Sequence, residues 1–511
     1  MKKVKCNNRK AKESETKIPS SNSLLNTQNS PLPKGWVWVR LGNICHTATG
    51  GTPSRKVSSF YCGNIPWLKS GELNDGIIYD SEEKITEIAL NSSSAKIFPR
   101  GTILIALYGA TVGKLGILGI NAATNQAICG IYINQKILIQ KYLFYFLHSY
   151  RKNLLKKRFG GAQPNISQSI IKDIILPLPP LPEQQRIVSK IEELFTKLDA
   201  GVDALKKAKE QIKRYRQAVL KYAFEGKLTE EWRKTNMDEL ESASVLLERI
   251  KEERKKKLGK KYKELPPIDT SELPELPEGW VWVRLGEIAE IISGVSFKPN
   301  QLCKQDVKSV RILRGGNIQN DNYYLLEDDY FVPKDIVSND QLLRRYDIIL
   351  VSSTGSKQAI GKAAIIKEEL NNLSVGAFLR IIRIYENIQK KYIGFYFYTL
   401  SYRNYIREIV KGVNINNIKD SYLNEMFLPL PPLPEQQRIV EEIERRFSVA
   451  DEVEKVIDNS LKQAERLRQS ILKKAFEGKL VPQDPSDEPA EKLLERIKAE
   501  KENNEKRNRK S

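Results

Sequence analysis

The stretch "LPLPPLPEQQRIV" occurs twice in this chain, at Leu176–Val188 and again at Leu428–Val440, without a single difference. Alternating Leu and Pro disfavour a helix and favour an extended strap. Pro182 then stands where a helix can begin, because its missing N–H costs nothing at the first helical position. Glu183 follows in the first turn, where the helix dipole favours a carboxylate. The stretch therefore predicts a proline-rich hinge followed by a helix, in two copies.

Other segments repeat in the same order, at offsets between 244 and 252 residues. They are "LPKGWVWVRLG" at Leu32–Gly42, which returns with one change at Leu276–Gly286, "AFEGKL" at Ala223–Leu228 and Ala475–Leu480, and "LLERIK" at Leu246–Lys251 and Leu493–Lys498. The chain is thus two copies of one unit of about 250 residues, which is too long for a solenoid repeat.

Between the GWVWVRLG opening and the hinge, the two copies have diverged. Three landmarks still correspond: Ile65–Leu73 with Val310–Ile318, Gly113-Lys114 with Gly361-Lys362, and Asn165-Ile166 with Asn417-Ile418. Short apolar segments bounded by turn residues predict strands, and the aromatic segments at Tyr142–Tyr150 and Tyr392–Tyr402 predict helices. A constant frame therefore carries two variable inserts of mixed α+β structure, which favours two different recognition surfaces.

After the first hinge, apolar residues recur with heptad spacing, which predicts a helix from Glu183 to about Tyr222 with a length of roughly 60 Å. The apolar positions are Ile187, Ile191, Leu194, Leu198, Val202, Leu205, Ala208, Ile212, Tyr215 and Val219. In the second copy, Arg446, Glu454 and Ser460 interrupt the pattern. We predict that the two helices pack on each other as an antiparallel pair. The alternatives are packing of each helix on its own domain, or pairing between molecules.

The composition is unusual in its excess of basic over acidic residues. The 511 residues include 84 Lys and Arg against 63 Asp and Glu, for a net charge of +21. Such an excess points to a polyanionic partner, most often nucleic acid, although solvated basic faces and tails would also produce it. Five scattered cysteines without a CxxC pair favour reduced thiols. Because no signal peptide or membrane-length apolar run is found, we expect a soluble protein in the cytoplasm.

Several kinds of catalytic site are missing from the sequence. The only histidines, His46 and His148, lie in the first copy, so a duplicated histidine-based active site is excluded and a histidine-rich metal site is disfavoured. The Gly-Lys pairs have the wrong spacing for a phosphate-binding P-loop. The Asn- or Asp-Pro-Pro-aromatic tetrapeptide of adenine methyltransferases does not occur. Acidic nuclease sites lack a fixed spacing and are not excluded. We predict no catalytic residues and no metal in this chain.

Together, the duplicated opening, hinge, long helix and AFEGKL segment resemble the specificity (S) subunit of type I restriction–modification systems, from about Pro31 to Lys498. The resemblance implies that each insert is a target recognition domain reading one half of a split sequence in double-stranded DNA. It also implies two methyltransferase (M) subunits, which bring S-adenosylmethionine and methylate adenine N6. Restriction (R) subunits would join for cleavage driven by ATP with Mg²⁺. The chain itself is then expected to hold no cofactor.

The predicted fold class is α+β, with two globular mixed α/β target recognition domains separated by two long antiparallel helices in a coiled coil, as a pseudo-two-fold internal repeat. The predicted segments are a disordered basic tail (1–30), target recognition domain 1 (31–178), the central long helix (179–226), a charged helix and linker (227–275), target recognition domain 2 (276–430), the distal long helix (431–480) and a basic C-terminal helix and tail (481–511).

Polar loops within the inserts are the predicted DNA contacts, because hydroxyl, amide and basic side chains read base edges and bind phosphates. In the first insert they are Lys69, Ser70, Glu72, Tyr108, Thr111, Lys114, Asn125 and Gln126. In the second they are Arg314, Asn317, Ser352, Ser353, Thr354, Ser356, Lys357 and Lys362. The alternative is that these loops are ordinary strand turns with solvated side chains.

Partner and spacer roles are predicted for the start of each long helix, at Pro182, Glu183, Gln184, Gln185, Arg186, Pro434, Glu435, Gln436, Gln437 and Arg438. The two LLERIK segments are predicted to contact methyltransferase subunits, or else to be solvated helix ends. Two other functions compete with DNA recognition. A self-contained restriction or methyltransferase enzyme would need longer tails, and the +21 charge and divergent inserts argue against a coiled-coil adaptor without DNA recognition.

Overall fold

The computed structural model describes residues 31–156, 165–259, 262, 264–356, 358–411 and 417–508. These form two compact units. Unit 1 comprises the chain up to Ala204 together with the chain from Ser460 onward, and unit 2 is Leu205–Asn459. The predicted basic tail at 1–30 lies outside the described residues. The units divide each long helix, whereas the predicted domains treat each helix as a separate segment, so those boundaries remain predictions.

The strands are β1 Val37–Arg40, β2 Cys45–Thr49, β3 Ile65–Leu68, β4 Ile77–Ile78, β5 Glu83–Ile85, β6 Ile97–Phe98, β7 Ile103–Ala106, β8 Leu115–Leu118, β9 Ala122–Thr124, β10 Ile128–Ile133, β11 Ile175–Leu178, β12 Val281–Arg284, β13 Ala289–Ser293, β14 Ser309–Leu313, β15 Ile318–Gln319, β16 Asn322–Tyr323, β17 Tyr330–Pro333, β18 Ile348–Val351, β19 Ala363–Ile365, β20 Leu373–Val375, β21 Leu379–Ile384 and β22 Phe427–Leu430.

The α-helices are α1 Leu41–Ile44, α2 Glu87–Asn91, α3 Gln140–Lys156, α4 Gln168–Lys172, α5 Leu181–Phe224, α6 Glu230–Asn236, α7 Ala243–Leu258, α8 Leu285–Ile288, α9 Lys390–Tyr396, α10 Leu400–Lys411, α11 Asp420–Asn424, α12 Leu433–Phe476 and α13 Ala490–Asn508. No helix in the described ranges is long and apolar enough to cross a bilayer.

Each unit contains two main sheets. In unit 1 the strand orders are β2-β10-β7-β8-β4 and β5-β3-β9-β6, and in unit 2 they are β13-β21-β18-β19 and β17-β14-β20. The strands β3 and β9 run parallel, as do β14 and β20, so both inserts share this uncommon pairing. Fully buried strands such as Ile103–Ala106 and Ile348–Val351 supply the sheet cores. The predicted mixed α+β structure is confirmed.

The repeated opening and the repeated hinge pair with each other within each unit. In unit 1, β1 and β11 are antiparallel, with Val37 opposite Leu178 and Arg40 opposite Ile175. In unit 2, β12 and β22 repeat the register, with Val281 opposite Leu430. The alternating prolines of the hinge are tolerated because a two-stranded ribbon leaves one edge of each strand without a ladder partner. The two identical sequence segments therefore encode a single structural element.

The long helices α5 and α12 each contain 44 residues, which corresponds to about 66 Å at 1.5 Å per residue. In unit 2, Lys209 Nζ contacts Asp458 Oδ1 at 2.6 Å, and Arg216 Nη2 contacts Asp451 Oδ1 at 2.6 Å. Higher numbers in α5 thus meet lower numbers in α12. In unit 1, Arg468 and Asp199 form an ion pair. The predicted antiparallel intramolecular pair is confirmed.

The structure corrects one detail of the predicted helix seam and explains another. Tyr215 is 42% exposed, so its assignment to the buried stripe is wrong; Arg216 beside it instead forms ion pairs with the other helix. The interruption at Glu454 also has a structural reason. Its carboxylate accepts a 3.3 Å contact from Arg216 and a 3.5 Å contact from Lys209. Ion pairs therefore replace apolar contacts at this level of the seam.

The LLERIK segments lie in α7 and α13, and both helices face the core of their own unit. Leu246 and Ile250 are 4% and 1% exposed in unit 2, and Leu493 and Ile497 are 5% and 7% exposed in unit 1. The expectation that the apolar side of this pattern contacts a partner subunit does not fit this burial. Its recurrence in both copies is explained by packing within each unit.

Candidate nucleic-acid interface

Three loops of unit 1 lie side by side at the ends of neighbouring strands. They follow β3, β7 and β9. Asn125 N donates to Leu68 O at 2.9 Å, which joins the first loop to the third. Leu107 N donates to Ala127 O at 2.7 Å, which joins the second loop to the third. The structure thus brings together the three loops that the sequence predicts to contact DNA in the first insert.

The loop after β3 is shaped by its own side chains. Glu72 accepts a 2.7 Å hydrogen bond from Lys69 N and a 2.9 Å hydrogen bond from Glu82 N, so both of its carboxylate oxygens cap backbone amides. Lys69 Nζ pairs with Glu82 at 2.9 Å and with Glu83 at 3.1 Å, and these contacts raise the lysine pKa. Glu72 is therefore a turn residue, and Lys69 already has two anionic partners. Ser70 is half-buried beside them.

The other two loops present a small polar cluster. Gln126 is exposed and hydrogen-bonds Tyr108 and Thr52. Burial raises the pKa of the Tyr108 phenol, with the Gln126 contact acting in the opposite direction. Asn125 turns its side-chain oxygen inward to accept from Ala127 N at 3.2 Å. Gln126 and Tyr108 are thus the members of this cluster that offer polar atoms at the surface.

The turn between β7 and β8 ends at Lys114, whose side chain is exposed. Lys114 N donates to Thr111 O at 2.9 Å, and Gly113 N donates to Ala106 O at 2.8 Å. Gly113 has φ of +80°, a left-handed conformation that favours glycine. The turn therefore holds a solvent-facing lysine at a fixed position, with Thr111 half-buried beneath it.

In unit 2 the corresponding loops enclose a cleft of about 820 Å³. It is lined by Gly315, Gly316, Ile318, Gln319, Asn320, Ser353, Thr354, Gly355, Ala359, Lys362 and Phe378. Three of the predicted residues, Ser353, Thr354 and Lys362, are in this lining. Ser356 is exposed on the same loop, and Lys357 lies outside the described residues.

Three predicted residues of the second insert are already engaged within the unit. Asn317 is fully buried; its amide donates to Tyr324 O at 2.8 Å and to Asp329 Oδ1 at 2.6 Å. Ser352 is also fully buried and donates to Phe378 O at 3.0 Å. Direct DNA contact by these two side chains does not fit their burial, since each holds a loop in place. Arg314 pairs with Asp328 at 2.8 Å and lies over the Tyr330 ring.

Phe378, Gln319 and Asn320 also line the cleft and were not predicted from the sequence. Gln319 and Asn320 belong to the hairpin of β15 and β16, where Asn320 and Asp321 have φ of +50° and +59°. Asn and Asp are among the residues that favour the positive φ angles of a two-residue hairpin turn. Phe378 carries no such signal, because an aromatic residue between two strands usually belongs to the core.

The two units share one backbone frame at this site. Ser352 N donates to Phe378 O at 3.0 Å, as Leu107 N does to Ala127 O. Ile418 N donates to Ser352 O at 2.8 Å, as Ile166 N does to Leu107 O at 2.7 Å. The landmarks Asn165-Ile166 and Asn417-Ile418 therefore occupy equivalent places, as the sequence predicts. What differs is the side chains that this common frame presents.

The helix start after each hinge is locked into its own unit. Gln184 is fully buried; it accepts from Ile139 N at 2.8 Å and donates to Ile137 O at 3.0 Å. Gln436 repeats this contact by accepting from Gln389 N at 3.0 Å. Glu183 and Glu435 are buried as well. These four side chains fix the helices to the inserts, so a direct partner contact through them does not fit.

Other residues of the helix start remain accessible. Pro182, Gln185, Pro434 and Gln437 are exposed. The two arginines are half-buried but differ in their partners: Arg186 pairs with Asp487 at 2.6 Å, whereas Arg438 pairs with Glu442 at 2.8 Å within its own helix. The predicted partner role remains a prediction for the exposed prolines and glutamines and for the two arginines, whose side chains are 34% and 40% exposed.

Comparison with known proteins decides the family. A family described as the type I restriction modification DNA specificity domain matches residues 33–214 and 277–463. The chain belongs to this family. Both matched ranges begin just before the GWVWVRLG strand and end within a long helix, so one specificity domain corresponds to one sequence repeat.

Two relatives of this specificity-domain protein are similar over most of the chain. The type I restriction enzyme EcoDI specificity subunit of Escherichia coli is 26% identical over 492 residues, covering 92% of this chain and 96% of that protein. The MjaVIII specificity subunit of Methanocaldococcus jannaschii is 25% identical, covering 88% and 94%. The chain is therefore a type I restriction–modification specificity subunit by family.

Solved structures show the same fold. A chain from a study of assembly and conformational transition of the type I R-M system has a TM-score of 0.64 at 20% identity, covering 88% of this chain and 100% of that chain. The HsdS subunit from Thermoanaerobacter tengcongensis has a TM-score of 0.50 at 21% identity, covering 89% and 99%. The predicted family and fold class are thus confirmed.

Proposed function

We propose that this specificity subunit reads a two-part site in double-stranded DNA, with the unit 1 loops on one half-site and the unit 2 cleft on the other. The observation that carries this proposal is the common backbone frame with different side chains. Tyr108 and Gln126 present polar atoms in unit 1, whereas Thr354, Lys362 and Phe378 line the cleft in unit 2. Two equal scaffolds with unequal surfaces are what recognition of two different half-sites requires.

The chemistry of the exposed and half-buried groups in these loops suits DNA. Amide and hydroxyl groups such as those of Gln126 and Thr354 can exchange hydrogen bonds with base edges. Lys114 and Lys362 occupy equivalent turn positions, after glycines with φ of +80° and +70°. Lysines placed in this way bind phosphates and fix the register of a protein on the duplex. The net charge of +21 favours association with the polyanion.

Catalysis is assigned to partner subunits. We propose that two methyltransferase subunits bind this chain, supply S-adenosylmethionine and methylate adenine N6 in each half-site, while this chain itself catalyses nothing and holds no cofactor. Restriction subunits would add ATP- and Mg²⁺-dependent cleavage of unmodified DNA. Exposed Gln185 and Gln437 are available at the helix starts for such partners. Since chromosomal DNA is the proposed ligand, we place the complex in the cytoplasm.

The experiment is expression of the chain with its methyltransferase subunit in a host that lacks N6-methyladenine, followed by genome-wide mapping of that base. The proposed function predicts a split motif with one methylated adenine on each strand and a gap of fixed length. The methyltransferase subunit expressed alone is the control. A stable complex that produces no new methylation would contradict the proposal and favour a coiled-coil adaptor without DNA recognition.

A further inference from the structure

Phe378 is an unusual aromatic residue in unit 2. Its side chain is 69% exposed, whereas every other phenylalanine in the described part of the chain is buried or half-buried. An exposed phenylalanine forgoes the apolar burial that a place in the core would give. It also lines the cleft that contains Thr354 and Lys362. Other apolar side chains, such as Val307 and Ile88, are equally exposed or more so, but they are absent from the cleft lining. The combination of exposure with a place in the cleft therefore favours a ligand-based reason for Phe378.

The backbone that carries this ring is held firmly. Phe378 O accepts hydrogen bonds from Ser352 N and Ser353 N, both at 3.0 Å, and from Ser352 Oγ at 3.0 Å. Leu379 N closes the turn by donating to Gly376 O at 2.9 Å. The ring is thus presented outward from a fixed point. A rigid aromatic anchor loses little conformational entropy when it binds.

The surroundings of the ring match the parts of a nucleotide. Gly315 and Gly316 on the opposite loop lack side chains, and a Cβ at Gly316 would meet no atom within 4 Å. A ligand can therefore approach that backbone closely. Lys362 is half-buried in the cleft lining. Burial raises the pKa of Asp321, and the positive charge of Lys362 acts against this rise together with that of Arg403, the ion-pair partner of Asp321 at 3.3 Å. The ammonium group of Lys362 therefore lies where it can pair with a phosphate that enters the cleft. A flat apolar ring beside an ammonium group suits stacking on a base with a phosphate contact next to it.

Unit 1 has an alanine, Ala127, in place of the exposed aromatic ring at the position equivalent to Phe378. Ala127 carries the matching carbonyl, which accepts from Leu107 N at 2.7 Å, and its side chain is 4% exposed. The ring is therefore not part of the common frame. It belongs to the side chains that distinguish the two reading surfaces.

We propose that Phe378 stacks on a base of the half-site bound by unit 2, with Lys362 on a flanking phosphate. This inference rests on the proposed function, and it makes Phe378 an affinity and positioning residue for one half-site only. Both faces of a base are covered by its neighbours in a duplex, so the ring makes this contact by wedging into one base step and partly unstacking it. The ring then contributes affinity through stacking, while neighbouring polar groups select the base.

The test uses the complex with the methyltransferase subunit and duplexes that carry its mapped methylation motif. Phe378→Ala should weaken binding roughly 5- to 150-fold, the range for loss of one base–aromatic stack. The slope of log affinity against log salt should stay the same, because no phosphate contact is lost. Phe378→Trp should retain affinity and Phe378→Leu should lose part of it. Val307→Ala, at a 91% exposed aliphatic residue of the same unit outside the cleft lining, is the matched control.

A second readout locates the contact. The base analogue 2-aminopurine, placed in turn at each position of both half-sites, should show a fluorescence change between wild type and Phe378→Ala within one half-site only. Affinity of Phe378→Ala equal to that of Val307→Ala, or equal weakening by Phe378→Trp and Phe378→Ala, would overturn the stacking role. If Phe378→Ala lowers the thermal unfolding midpoint, its DNA affinity no longer reports stacking alone. The stacking role is then tested by comparing the DNA affinities of Phe378→Leu and Phe378→Trp. A wild-type complex without site-specific binding would overturn the proposed function itself.

Discussion

Trp280 Nε1 donates a 2.7 Å hydrogen bond to Glu435 Oε2, and this contact anchors the first turn of α12 to the residue that precedes β12. The equivalent contact in unit 1 joins Trp36 Nε1 to Glu183 Oε2 at 3.0 Å. The second oxygen of each carboxylate has different hydrogen-bond partners in the two units. Glu435 Oε1 accepts from Thr229 at 2.7 Å and from Arg233 at 2.9 Å, whereas Glu183 Oε1 has no hydrogen-bond partner among the described residues.

The difference follows from the sequence after the repeated AFEGKL segment. Thr229 and Arg233 follow the first copy, but Val481 and Pro485 occupy the same offsets after the second. The second hinge therefore contains a buried carboxylate, Glu435, that is neutralised by Arg233. The first hinge contains a buried carboxylate, Glu183, that accepts a hydrogen bond from the Trp36 indole.

Replacing Glu435 with Gln should destabilise the protein, because the Arg233 guanidinium would be left buried without its anionic partner. Loss of one member of a buried ion pair costs about 3–5 kcal/mol. Replacing Glu183 with Gln is the matched control, since it removes a buried charge that lacks a cationic hydrogen-bond partner. We expect the Glu183→Gln midpoint in thermal unfolding to equal or exceed that of wild type at pH 7. A larger loss from Glu183→Gln than from Glu435→Gln would contradict this account.

The pH dependence of stability should differ between wild type and Glu183→Gln. Burial raises the pKa of the Glu183 carboxyl, although the Trp36 hydrogen bond and the Arg186 charge act against the rise. A raised pKa favours the protonated form in the folded state, so its stabilising contribution is present below the ordinary value of 4.5 and is lost as pH rises through the raised value. The midpoint advantage of Glu183→Gln should therefore grow between pH 4.5 and pH 7. A constant difference across this range would show that Glu183 does not titrate as proposed.

Substituting Lys114 or Lys362 with Ala should weaken DNA binding about equally for all sequences, because each lysine is proposed to contact phosphate. The slope of log affinity against log salt should fall by about 0.9 for each lysine. Lys234 is a suitable control, since it already pairs with Glu230 at 3.0 Å. Titrations of labelled duplex at several salt concentrations measure both quantities. An unchanged slope in the Lys362→Ala variant would remove it from the phosphate contacts.

Replacing Asn317 with Ala should destabilise unit 2, because the carbonyl of Tyr324 and the carboxylate of Asp329 would lose their shared donor. A buried unsatisfied polar group costs about 1–3 kcal/mol. Thr354→Ala should instead leave the unfolding midpoint nearly unchanged while it weakens DNA binding, because Thr354 lines the open cleft. Equal effects of both substitutions on stability would contradict the distinction between loop-holding and DNA-facing residues.

Adding one seven-residue repeat to both α5 and α12 at matched positions should change the gap between the two methylated half-sites and leave the bases within them unchanged. The reason is that each helix runs from one unit into the other. Methylation mapping of the extended variant measures the gap directly. An unchanged gap, or altered bases, would show that the helices do not determine the spacing.

The sequence predicts the repeated parts of the structure well, because they depend on local patterns. The heptad period predicts a helix from Glu183 to about Tyr222, and α5 spans Leu181–Phe224. The repeated Gly-Lys and Asn-Ile pairs predict equivalent turns, which the hydrogen bonds at Gly113 and Gly361 confirm. These features require only periodicity, proline and glycine chemistry, and comparison of one half of the chain with the other.

The side chains of the site are harder to predict, because exposure depends on tertiary contacts. Asn317 and Thr354 are both polar loop residues in sequence, yet one is fully buried and the other lines the cleft. Phe378 carries no distinguishing signal in the sequence, yet its side chain is 69% exposed and lines the cleft. No pattern in the flanking residues reports such a placement.

The central claim is that each insert independently reads one half of a split site. The most direct measurement replaces residues 41–174, which lie between β1 and β11, with the insert of another specificity subunit and maps N6-methyladenine in cells that also express the methyltransferase subunit. The account predicts that one half of the motif changes while the other half and the gap are retained, and that replacement of residues 285–426 gives the reciprocal result. A motif in which both halves change together, or neither does, would contradict it.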